Sequence, residues 1–169
     1  MDNDLKIKLD TLKHTMDRYD HYYDSINNKG NLYLTLNTFI LGGMIAGYFN
    51  IKEVLGESCF GIIIFWLGLI CTLLSIAFTL WAIIPYLNKQ EDSDKGSFMN
   101  FGYVSRITFA SFKKMYTELS EENGYEDYLQ QVYLLSKGLH LKFNRLRTAT
   151  YLLGGTFVCV IIIGIKILK

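Results

Sequence analysis

FGIIIFWLGLICTLLSIAFTLWAII, residues 60–84, contains no charged side chain. A helix needs about 20 apolar residues to cross a hydrocarbon core of about 30 Å. This stretch is long enough to do so with room for tilt. Buried helices of soluble proteins seldom keep more than about 14 unbroken apolar residues, so a soluble bundle with a greasy core is set aside. Two further uncharged runs, 32–49 and 151–165, are slightly short and need interfacial help at their ends. Tyr33, Tyr48, Tyr151, Lys166 and Lys169 stand where such anchors belong. The expectation is an all-α integral membrane protein with three transmembrane helices, bounded as 31–49, 60–85 and 151–169, and a cytoplasmic helical part.

The charges collect outside these runs. Net charge is +1, which leaves no basic field for nucleic acid. The first residues, MDNDLKIKLDTLKHTMDRYDHYYDS, are charged and amphipathic rather than a signal peptide, so the first span is expected to insert as an uncleaved anchor. Lys6, Lys8, Lys13, Arg18 and Lys29 precede the first span. Lys89, Lys95, Arg106, Lys113, Lys114, Lys137, Lys142, Arg145 and Arg147 lie between the second and third, whereas the loop 50–59 holds only Lys52. Positive residues stay inside. That bias places segments 1–30 and 86–150 in the cytoplasm, with loop 50–59 and the C-terminus outside.

Leu5, Leu9, Leu12, Met16, Tyr19, Tyr23 and Ile26 recur in steps of four and three, the period of a left-handed helix pair or bundle. The stepping continues through Gly30, Tyr33, Asn37, Ile40, Met44 and Gly47, and no proline interrupts it. One helix can therefore run from segment 1–30 through the first span, with Gly30 its weak point. Gly43 and Gly47 form a GxxxG that suits close helix packing, within one chain or between copies. Asn37 lies inside the span, where polar side chains face protein or water. A register-fixing hydrogen bond and a pore-lining role are both open to it.

Pro85, the single proline, marks the end of the second span. Residues 88–100 read as a polar loop, 108–119 as a short amphipathic helix, and 121–124 as a break before a long helix from about Tyr125 into the third span. Val132, Leu135, Leu139, Phe143 and Leu146 line its apolar side. Gln131, Gly138, Lys142 and Arg145 form an adjacent strip.

Catalytic chemistry finds no support: there is no GxSxG, no Cys/His pairing and no glycine-rich phosphate loop. Cys59, Cys71 and Cys159 have neither zinc nor disulfide spacing. His14 and His21 share a helix face with Asp10, Asp17 and Asp24, which suits a solvated stripe better than a metal site. The chain reads as a non-enzyme with no metal and no resident cofactor. The basic residues nearest the membrane, Lys29, Lys142, Arg145 and Arg147, suit anionic headgroups or an anionic ligand. Arg145 and Arg147 point about 200° apart on a helix and do not serve one site together.

Three stretches together resemble the small membrane effectors of bacterial Pycsar anti-phage systems. NNKGNLYLTLNTFILGG (27–43) resembles the family's D-x-K-A approach to its first span, with Asn27 in place of the acid, Lys29 kept and Gly30 in place of Ala. FMNFGYVSRITFASFKKMYTEL (98–119) resembles its Phe-Gly element and following helix. YEDYLQQVYLLSKGLHLKFNRLRTATYLL (125–153) resembles its strongest motif, carried here by Gln131, Leu135, Ser136, Lys142, Phe143, Leu146 and Arg147. The resemblance implies a partner pyrimidine cyclase that makes cyclic CMP or cyclic UMP on infection. It also implies that the effector compromises the inner membrane, so that the infected cell stops growing or dies. A cyclic mononucleotide needs a cation for its phosphate and amide or aromatic groups for its base. Arg106, Gln131, Lys142 and Arg145 are the candidates, with Lys29 added because the family pattern keeps it. The expected assembly is a homo-oligomer in the bilayer of the inner membrane. The rival readings are a ligand-independent membrane scaffold and a small channel subunit.

Overall fold

The computed structural model describes residues 3–56, 59–85 and 96–168. The polar loop 88–100 and the basic residues Lys89, Lys95 and Lys169 therefore fall partly or wholly outside the described residues. Among the described residues all regular structure is helical: α1 (Asn3–Gly56), α2 (Cys59–Ile83), α3 (Phe101–Val104), α4 (Phe109–Thr117) and α5 (Glu121–Ile167). Three helices, α1, α2 and α5, are long and apolar enough to span a membrane. At about 1.5 Å rise per residue, the 25 residues of α2 cover the hydrocarbon core with a turn to spare.

α1 carries the positions of the four-three stepping, Leu5 to Gly47, on one helix. No proline breaks the helix, and Gly30 lies within it. Every seam position from Leu5 to Gly47 is half-buried or buried, and Ile26, Gly30, Asn37 and Met44 are buried. Two boundaries differ from expectation. Residues 50–56, read as external loop, continue α1, because Ile51 and Leu55 still have apolar partners and no breaker precedes Gly56. The end of an apolar run is not the end of a helix. Likewise the break at 121–124 is the first turn of α5. The Ser120 hydroxyl accepts from Asn123 N–H at 3.1 Å, and Glu121 and Glu122 sit where the positive end of the helix dipole favours acids.

The chain divides into two units. The first comprises residues 1–23 and 85–140. In it, the Tyr23 hydroxyl donates to the Leu135 carbonyl at 3.1 Å, and the Lys13 ammonium lies 6.0 Å from the centre of the Tyr128 ring. Asn100 caps α3 and Thr108 caps α4 with their side-chain oxygens.

The second unit comprises residues 24–84 and 141–169 and holds all three apolar runs. It is a bundle in which α2 runs antiparallel to both α1 and α5. Its composition is inverted relative to a soluble core. On α2 the buried side is Gly61, Phe65, Gly68, Thr72, Ser75, Thr79 and Ala82. Ile62, Ile63, Trp66, Leu67, Ile70 and Leu73 point outward and exposed. In hydrocarbon there is no hydrophobic gain from hiding leucine, so helices associate through close packing of small residues and through hydrogen bonds. Gly68 shows the packing: a Cβ there would sit 3.0 Å from Cys159 Cβ and 3.3 Å from Met44 Cε, at a point where all three helices meet. By contrast, a Cβ at Gly42, Gly43 or Gly47 would meet nothing within 4 Å, so the GxxxG makes no close packing contact among the described residues.

Candidate functional site

The cations of α5 meet the end of α2. A helix leaves its last carbonyls without donors, and Pro85 has no N–H to give to the carbonyl four residues back. That carbonyl, Trp81 O, accepts instead from Arg145 Nη1 at 3.1 Å. Lys142 Nζ donates to Ala82 O at 2.7 Å and to Ile83 O at 3.0 Å. The Arg145 guanidinium also lies 4.3 Å from the centre of the Trp81 ring, within cation–π range. Lys142 is only 3% exposed. Its burial, and secondarily the nearby Arg145 charge, lower its pKa from the ordinary lysine value. The negative end of the α2 dipole favours cations at this place.

The middle of the second unit is polar. Asn37 Nδ2 donates to Ser75 Oγ at 2.9 Å, and the Ser75 hydroxyl donates to the Ala149 carbonyl at 3.0 Å. This one chain of bonds crosses all three helices. One layer further along, Thr72 and Thr156 hydroxyls lie 3.2 Å apart, and the Thr79 hydroxyl returns to Ser75 O at 2.7 Å. Asn37, Thr72, Ser75, Thr79 and Thr156 are all 0% exposed. Asn37 Oδ1 is buried without a hydrogen-bond partner. Beyond this polar stretch the bundle closes on an apolar cluster of Met44, Leu55, Phe65 and Ile163.

The first unit holds a second polar cluster. Gln131 Nε2 donates to Ser97 Oγ at 2.9 Å, and Asp127, one turn earlier on α5, accepts from Phe98 N–H at 3.1 Å. Ser97 Oγ also accepts from Met99 and Asn100 N–H. Asp127 Oδ1 is buried without a partner.

The five candidate residues thus divide. Arg106 and Gln131 belong to the first unit, and Lys29, Lys142 and Arg145 to the second. Arg106 is exposed in the turn after α3, and Lys29 is exposed on α1. Lys142 and Arg145 act together on α2. Gln131, Gly138 and Lys142, read as a strip beside the apolar face, are themselves buried, while Phe143, read as apolar lining, is exposed. Asn27, which replaces the family's acid, is half-buried with its Oδ1 unpartnered. The reading along the chain missed the hydroxyls of α2 and the pair Ser97 and Asp127. Thr72, Ser75 and Thr79 were detectable as polar residues at three- and four-residue steps inside an apolar run. Asp127 stands four residues before Gln131, hence on the same face. Among the described residues no group of His, Cys, Asp or Glu is placed to hold a metal.

The profile of the Pycsar effector protein domain matches residues 11–168. The Pycsar effector protein EcPycTM of Escherichia coli is 28% identical over 170 residues, covering 95% of this chain and 89% of that protein. The Pycsar effector protein GmPycTM of Gulbenkiania mobilis is 32% identical over 77 residues, covering 45% of this chain and 39% of that protein. No solved structure matches the chain.

Proposed function

The chain belongs to the Pycsar effector family, and from that premise we propose that it binds a cyclic pyrimidine mononucleotide, cyclic CMP or cyclic UMP, and responds by breaching the bacterial inner membrane. Its class is that of an anti-phage membrane effector, within a system whose cyclase partner signals by cyclic nucleotide. The observation that carries the finer reading is the hold of Lys142 and Arg145 on the last carbonyls of α2. A phosphate is a stronger partner for both cations than a carbonyl, because its charge assists the bond. A nucleotide phosphate arriving at Lys142 and Arg145 would exchange with the α2 carbonyls and free the end of a membrane helix. Such a ligand needs a differential affinity of about 5.5 kcal/mol to drive the equilibrium from 1:99 to 99:1. Gln131 and Arg106, in the first unit, are tested separately as base- and phosphate-recognising groups, and Lys29 as a further cation.

Calorimetry on the detergent-purified protein tests this directly, with cyclic CMP, cyclic UMP and a cyclic purine nucleotide as control. One cyclic pyrimidine should bind and the purine should not. A charge-assisted contact contributes about 1.5–3 kcal/mol, so Lys142→Ala and Arg145→Ala should each weaken binding ten- to a hundredfold or so. Arg147→Ala should weaken it less. Binding that is unchanged in both variants would remove these cations from the ligand site and leave them as caps of α2.

A further inference from the structure

We infer that the polar seam of the second unit is the route by which small ions cross the bilayer in the activated protein, with the Met44–Leu55–Phe65–Ile163 cluster as its gate. The inference rests on the reading that the protein breaches the membrane, and it assigns the path and the barrier.

α2 turns three hydroxyls inward, at Thr72, Ser75 and Thr79, and all are 0% exposed. Those of Thr72 and Thr79 donate to carbonyls of their own helix, Gly68 O at 2.8 Å and Ser75 O at 2.7 Å, and that of Ser75 reaches across to α5. Ser75 meets Asn37 from α1 and the Ala149 carbonyl from α5, and Thr72 meets Thr156 from α5. The outward face of the same helix is isoleucine, leucine and tryptophan. The layer order follows from the antiparallel packing. Asn37, Ser75 and Ala149 form one layer, Thr72 and Thr156 the next, then Met44, Gly68 and Cys159, and finally Leu55, Phe65 and Ile163.

The second, independent observation is Asn37 Oδ1. It is an amide oxygen at a fully buried residue in the middle of the bundle, and it accepts no hydrogen bond. Leaving such a group unpaired is costly. Amide, hydroxyl and backbone carbonyl oxygens in sequence are the groups that replace the hydration shell of a monovalent cation. No carboxylate lies among them, so strong divalent binding is not favoured. The resting path is shut. The helices pack tightly at Gly68, where a Cβ would sit 3.0 Å from Cys159 Cβ, and the apolar cluster beyond it bars a hydrated ion by dewetting. Opening requires the helices to part, and freeing the end of α2 from Lys142 and Arg145 loosens the helix that supplies the hydroxyl ladder.

The test is conductance of the full chain in planar bilayers under a potassium chloride gradient, with cyclic CMP and cyclic UMP as the probes. Phe65→Ser should conduct without nucleotide. Asn37→Asp places a charge in the seam and should move the reversal potential toward that of potassium. Thr72→Val keeps the side-chain shape but removes the hydroxyl, and should lower unit conductance several-fold with nucleotide affinity unchanged. Nucleotide-dependent current with the same reversal potential and unit conductance in wild type, Asn37→Asp and Thr72→Val would overturn the route while the membrane reading stands. Silence of the wild type with both nucleotides, together with silence of Phe65→Ser, would overturn both.

Discussion

Lys142 carries an unusual combination: a lysine almost fully buried at the edge of a membrane bundle, bonded to two main-chain carbonyls. Two effects oppose there. Desolvation disfavours the ammonium, and the carbonyls and the α2 dipole favour it. The lowered pKa means that desolvation wins. In the unfolded chain the amine keeps its proton up to about 10.5; in the folded chain it loses it earlier. Between those two values the unfolded state binds more protons, so stability rises with pH through that window. Thermal unfolding in detergent from pH 8 upward should show this rise, and Lys142→Met should flatten it. An equal slope in the variant would mean that another group titrates there.

Among the elements of the second unit, α2 is the helix on which α1 and α5 close. It touches α5 through the caps and the hydroxyls. It touches α1 at Gly30, where a Cβ would lie 2.7 Å from Ile83 Cδ1 and Cγ1. Alanine is favoured over glycine in a helix by about 1 kcal/mol, whereas overpacking costs about 1–3 kcal/mol. Gly30→Ala should therefore destabilise the wild type by about 1 kcal/mol and stabilise an Ile83→Ala background by a similar amount. A double-mutant cycle on thermal unfolding measures the difference. Additive effects would show that Gly30 and Ile83 do not meet.

For the molecule as a whole, the Lys/Arg bias predicts a cytoplasmic N-terminus and, across three spans, a C-terminus on the other side of the membrane. A fluorescent reporter before residue 1 should mature in the cytoplasm, and alkaline phosphatase after residue 169 should be active outside it. Inactive phosphatase in an expressed, membrane-inserted fusion would contradict this orientation. The inverted composition of the second unit, with hydroxyls inside and isoleucines outside, is what a bilayer solvent demands.

Hydropathy and period are properties of a chain read one residue at a time. For that reason the three membrane helices, the inward face of α1 and the burial of Asn37 are legible in the chain alone. The family was legible too, because its motifs are local. Helix ends were less so. Residues 50–56 and 121–124 look like loop because hydrophobicity falls or acids cluster there, but backbone hydrogen bonds and the Ser120 cap carry the helix on. The candidate site was legible only in part. Lys142 and Arg145 could be placed on one helix near the membrane. That they hold Trp81, Ala82 and Ile83 depends on α2 arriving with its last carbonyls open, one of them unmet because Pro85 has no N–H. Which donor meets which acceptor is decided by the packing of three helices at once, and no single stretch of sequence contains that information.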